Sequence, residues 1–249
     1  MEQSAAVVNP WNRNNHIDLE NDLNSVSVLE SPIDPSVQKE YLDLSNSIDF
    51  DNVDYGEVLN EADKLFIGNT PIEAKRRILI LLAHLGTMES SKILEKYLKI
   101  SEGNLKDWAL LSLKECRMFL ESVLLKEEGG LISTGLGGKG NKLRYYFIVS
   151  TKEGRPLTEV EKNTLKEGFE RSSDKYRSEI EEINFGTHYA MIGILAPMDV
   201  AVGEVIEEGI RRCNRKSEVL LIDYYVTNVK KPTKLEILKY LREIRREER

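Results

Sequence analysis

Residues 135–144 read Gly-Leu-Gly-Gly-Lys-Gly-Asn-Lys-Leu-Arg. Glycine lets a backbone come close to a phosphate, and Lys139, Lys142 and Arg144 supply three positive charges within six residues. The chemistry on offer is anion binding by a mobile basic finger; the alternative is a flexible hairpin connection. A nucleotide P-loop is excluded, because no Ser or Thr follows Lys139 and the next segment reads as a strand rather than a helix.

A second group of polar residues lies where apolar runs give way to helical ones: Lys152 and Arg155, then Asp199, then Asn228, Lys230 and Lys231. If the runs are parallel strands, these loops share one sheet edge, where α/β sheets bind ligands and helix N-termini favour anions. A pocket bounded by Arg155, Asp199 and Asn228 would then hold a small phosphate-bearing ligand. Solvated turn residues are the alternative. Residues 230–249 add eight bases against four acids, either a solvated helix or part of a nucleic-acid surface. The pairs Tyr145/Tyr146 and Tyr224/Tyr225 either pack into a core or offer a ring on an open sheet face for base stacking.

Catalytic groups are sparse. His16, His84 and His188 have no ligand spacing, so neither a metal nor a cofactor is expected. Asp199 and Asp223 are the only acids to test as a pair, and Asp223 within an apolar strand calls for a partner. Cys116 and Cys213 read as buried thiols, not as a disulfide framework.

The elements that position these groups fall in two halves. Residues 1–36 form an acidic, Asn/Ser/Pro-containing tail, interrupted by Val7-Val8 with Trp11 and by Val26, Val28 and Leu29. Residues 37–127 read as helices. Val58, Leu59, Ala62, Leu65 and Phe66 make one stripe, and Thr70-Pro71-Ile72-Glu73 predicts a capped start for a helix buried at 78–83. Gly86 and Gly103 then separate helices over 72–85, 88–98 and 105–125. Helix starts near 56, 71, 88 and 104 repeat at 32 to 33 residues. On that stripe pattern, Pro71 and the repeat length, the segment resembles HEAT-type helical repeats; a four-helix bundle is the other reading. The resemblance implies a scaffold that binds protein or nucleoprotein.

Residues 128–249 form the second half. A short strand at 131–134 is expected to pair antiparallel with the strong strand 143–150. A helix follows from Thr158 to about Ile183, with Thr158 and Glu161 as a capping box. Strands over 189–195 and 219–226 follow, with a helix capped by Asp199 between them and a last helix from Thr233. The fold class is therefore α+β: a HEAT-like helical domain, then a small α/β domain of three to four strands. A parallel β-α-β-α-β order is expected, with a ferredoxin-like antiparallel sheet as the competitor.

Charge places the acidity in one segment. Residues 1–56 carry eleven acids and two bases; the rest carries 31 acids and 33 bases. No apolar run is long enough to span a bilayer and no secretory signal is legible, so a cytoplasmic protein is expected. Together these features predict a non-catalytic interaction scaffold for a protein, RNA or ribonucleoprotein partner; the alternative is an enzyme or sensor that binds a small phosphate-bearing ligand at the sheet edge. Oligomeric state is not legible.

Overall fold

The computed structural model describes residues 6–8, 26–125, 130–215 and 218–247. The chain divides into two compact units, residues 4–29 with 33–133, and residues 134–249 with short N-terminal pieces. As expected from sequence, helix and sheet are mixed.

The first unit is helical with a small sheet. Its helices are α1 (Pro35–Ser47), α2 (Tyr55–Glu61), α3 (Ile72–Leu85), α4 (Met88–Ile100) and α5 (Gly103–Leu125). Asp34 and Asp54 cap α1 and α2 by accepting from Ser36 N and Gly56 N. Thr87 and Ser90 cap α4 reciprocally. The start expected at Thr70 differs: α3 begins at Ile72 with Pro71 as its cap and no side-chain cap bond. Ile78 to Ala83 are all buried, and Gly86 ends α3 at φ +56°. Glycine is needed there twice over, since a Cβ would also stand 2.7 Å from that of Phe119.

Three short strands close this unit: β1 (Ala6–Val8), β2 (Val26–Val28) and β3 (Gly130–Ser133). β3 lies in the middle, antiparallel to β1 and parallel to β2. The valines that interrupt the acidic segment are therefore strands, and the expected pairing of 131–134 with 143–150 is corrected. Trp11 and His16 lie outside the described residues.

The second unit contains β4 (Gly138–Lys139), β5 (Lys142–Thr151), α6 (Glu159–Lys175), β6 (Glu179–Phe185), β7 (Tyr189–Pro197), α7 (Val202–Asn214), β8 (Leu220–Thr227) and α8 (Lys234–Glu247). The long strands are ordered β8-β5-β7-β6, and every neighbouring pair is antiparallel. This is the split β-α-β, ferredoxin-like arrangement, so the parallel expectation is overturned. The helix expected to reach Ile183 stops at Lys175, because Arg177 takes a left-handed φ of +55° and the chain turns into β6. The Thr158/Glu161 box stands as expected, but Asp199 does not cap α7, whose cap is Ala201.

One face of the sheet packs Phe147, Val149, Ile192 and Ile194 against Leu165 and Phe169 of α6 and Val205 and Ile206 of α7. The other packs Tyr146, Ile148 and Met191 against Ile237 and Leu241 of α8. Among the described residues no helix is long and apolar enough to cross a membrane.

Candidate nucleic-acid interface

Two glycines bring α6 and α7 together. A Cβ on Gly168 would lie 2.6 Å from Cys213 Sγ, and one on Gly209 would lie 2.3 Å from the Phe169 ring. The close crossing buries Cys213, whose thiol is pushed up to about 12 by desolvation. Outside that seam the helices leave a cleft of about 190 Å³ lined by Thr164, Glu167, Gly168, Arg171, Arg212 and Arg215.

The cleft is cationic because of how its charges are shared. Glu208, 5% exposed, accepts from Arg212 Nε at 2.7 Å, pairs with Arg211, and has Lys175 Nζ at 3.8 Å. One carboxylate thus orders three cations. Arg171 and Arg215 have no ion pair among the described residues. A guanidinium presents paired N–H donors that match phosphate oxygens, so two uncommitted arginines beside a third held in place suit a phosphate anion. The C-terminal position of Arg211 and Arg212 on α7 also favours positive charge through the helix dipole.

The residues anticipated from sequence are arranged otherwise. β5 runs ten residues, about 34 Å at strand spacing, and Lys142 pairs with Pro197 across β7. Lys152 and Arg155 therefore sit at one end of the sheet, and Asp199, Asn228, Lys230 and Lys231 at the other. The pocket bounded by Arg155, Asp199 and Asn228 does not exist, and the sheet-edge ligand site is withdrawn.

Most of these cations are also neutralised within the unit. Arg144 makes a bidentate pair with Glu181 at 2.5 and 2.9 Å. Lys152 pairs with Glu218, Lys230 with Glu236, Lys231 with Glu182 and Lys139 with Glu179. Arg155 bonds Glu161 and holds that carboxylate down to about 2; Lys231 does the same for Glu182. Asp199 pairs with Arg177. Lys142 alone of these cations has no ion pair among the described residues.

The glycine-rich loop is not a free finger. A Cβ on Gly135 would fall 1.8 Å from Val229 O, and Leu136 N donates to Asn228 O at 3.0 Å. Its glycine serves a close approach to the chain's own backbone. Nor do the tyrosines form a stacking platform. Tyr146 is buried and donates to Glu182, Tyr145 and Tyr224 pack on the helical side, and Tyr225 meets Tyr240 with ring centroids 5.7 Å apart. Asp223 is exposed on β8, an edge strand, and is not paired with Asp199, whose partner is Arg177. Both cysteines are free and buried, as expected. Among the described residues no group of three or more His, Cys, Asp or Glu side chains is placed to hold a metal.

Sequence reading missed Arg171, Arg212 and Arg215. The visible signal was the run Arg211-Arg212-Cys213-Asn214-Arg215-Lys216, four bases in six residues.

By sequence the chain matches no known family and no characterised protein. Solved structures with some likeness include a proposed transposase from Deinococcus radiodurans R1, at 17% identity and TM-score 0.37, covering 41% of this chain and 90% of that one. Another is a REP-associated tyrosine transposase bound to a REP hairpin, at 10% identity and TM-score 0.32, covering 40% and 61%. A third is a C-terminal segment of the α subunit of aIF2 from Pyrococcus abyssi, at 16% and 0.25, covering 80% and 98%. None is a helical-repeat scaffold, and the interaction-scaffold expectation is corrected on that finding. Likenesses at these TM-scores assign no activity in its place.

Proposed function

We propose that the protein binds nucleic acid, contacting the phosphodiester backbone through the cleft between α6 and α7. The observation that carries this is the pair Arg171 and Arg215, without ion pairs among the described residues, lining one cleft with an Arg212 already oriented by Glu208. Phosphate contacts of this kind position a strand without reading its sequence. The positive charge is local: the chain as a whole carries −7, so the cleft and not the net charge must supply the attraction.

The test is fluorescence anisotropy with labelled oligonucleotides of mixed sequence: single-stranded DNA, a DNA hairpin and RNA, at several salt concentrations. Binding should weaken steeply with salt. Arg171→Ala/Arg215→Ala, with both side chains at the surface, should flatten the slope of log K against log salt by about 1.4 for a single strand and about 1.8 for a duplex. No binding by the unaltered protein at 50 mM salt (roughly the low end of the useful range) ends the proposal. An unchanged slope in the double variant moves the contact elsewhere.

A further inference from the structure

The two edges of the second unit's sheet are built differently. β6 presents Glu179, Glu181 and Glu182, and its register shifts between Ile180 and Glu182. Charges and a bulge are the usual protection of an open edge against a further strand. β8 reads Leu-Leu-Ile-Asp-Tyr-Tyr-Val-Thr, with one charge and no lysine or proline. Its one partner among the described strands is β5. Ile222 is 75% exposed and Val226 37%, a large apolar exposure for one strand. Beside this edge runs a groove of about 720 Å³, with Ile210, Arg211 and Asn214 of α7 on one wall and Ile222 and Asp223 on the other.

We infer that β8 pairs antiparallel with β8 of a second copy of this chain, joining two sheets into one. An antiparallel two-fold must stand perpendicular to the sheet, midway between the two strands and level with one residue that faces its own copy, so that each face continues into the same face of the partner. Centred on Tyr224, the axis sets Ile222 opposite Val226 of the second copy, covering the two exposed apolar side chains with each other. Asp223 falls opposite Tyr225, so like charges do not meet. A centre on Asp223 would oppose the two carboxylates and is disfavoured.

The helix above the edge is matched to the same axis. α7 carries Glu204 and Glu207 in its first half and Arg211 in its second. It runs antiparallel to β8, with Glu207 beside Tyr224 and Asn214 bonded to Leu220. The two-fold therefore brings the Arg211 end of one α7 towards the Glu204 end of the other. Glu207, nearest the axis, is held by the Tyr224 hydroxyl at 3.3 Å. Both helical layers lie on the same side of the joined sheet, and the two arginine clefts face the same way. The inference does not depend on what those clefts bind.

The experiment is sedimentation equilibrium of the full chain across a concentration series, with three variants. The unaltered protein should reach twice the mass of one chain. Ile222→Lys, at a largely exposed position, should return it to one chain with unchanged circular dichroism. Val160→Lys, at an equally exposed apolar residue on α6, should leave the dimer intact. Ile222→Cys/Val226→Cys should give a covalent dimer on oxidation, since directly opposed strand residues are within disulfide reach. A monomer at every concentration overturns the inference, and so does a dimer indifferent to Ile222→Lys or lost with Val160→Lys. A failed cross-link overturns the register and with it the two-fold at Tyr224.

Discussion

Glu115 is buried in the helical unit at 1% exposure, and its carboxyl accepts from the Tyr41 hydroxyl. His84 Nε2 lies 3.6 Å from its other oxygen, with that ring stacked on Phe50 at 3.5 Å. Burial outweighs the Tyr41 bond and raises the carboxyl from 4.5 to about 7. The folded protein therefore holds a proton here that the unfolded chain releases above pH 4.5. Stability from this group is complete below that pH and is lost as pH rises through about 7. A shift of that size corresponds to about 3 kcal/mol. Glu115→Gln keeps the size and the polar contact but cannot ionise. Thermal melts of both proteins at pH 5, 6, 7 and 8 should show the unaltered protein losing on the order of 10 °C relative to the variant. Parallel melting curves across that range would refute the claim that Glu115 is neutral in the fold.

Two substitutions probe close approaches. Gly209→Ala places a methyl group 2.3 Å from the Phe169 ring. Overpacking of about 1–3 kcal/mol should exceed the gain of about 1 kcal/mol in helix propensity. A urea midpoint that falls with unchanged slope would show this, and an unchanged midpoint would mean that the ring moves freely. Gly135→Ala is more severe, because the atom it meets at 1.8 Å is a backbone oxygen of Val229 that cannot swing aside. A loss of about 3 kcal/mol is expected in the same assay, and a loss below about 1 kcal/mol would show that the loop yields.

The helices were legible where stripes and caps agree. Ile78 to Ala83 announce a buried helix, Gly86 its end, and Thr158 with Glu161 the start of α6. What sequence did not show was β6. Its segment, Glu-Ile-Glu-Glu-Ile-Asn-Phe, continues the charge-rich pattern of α6, and the break is made by a non-glycine left-handed residue, Arg177, which carries no sequence signal. Missing one strand reverses the direction assigned to every later strand. That single omission turned an antiparallel sheet into a parallel one and gathered Arg155, Asp199 and Asn228 at one edge. The same strand also carries Glu179, Glu181 and Glu182, which neutralise Lys139, Arg144 and Lys231. Ion pairs between distant segments cannot be read until the register is known, so the anticipated cations looked available. Arg171 and Arg215 are the reverse case: their significance rests on a helix crossing set by Gly168 and Gly209, a tertiary fact.

The small sheet of the helical unit bears on the order of events during synthesis. β1 and β2 leave the ribosome before the five helices, yet both take their hydrogen bonds from β3, which follows those helices. Their closure spans nearly the whole unit, and such non-local pairing is slow relative to helix formation. The helices can condense around Trp108 and Leu79 while the valine segments wait, exposed, for residues 130–133 to emerge. By contrast, the strands of the second unit all come from one continuous stretch and can pair as they appear. β1 and β2 are thus made before the helices but secured after them, and an arrest of translation before residue 130 would leave both without their strand.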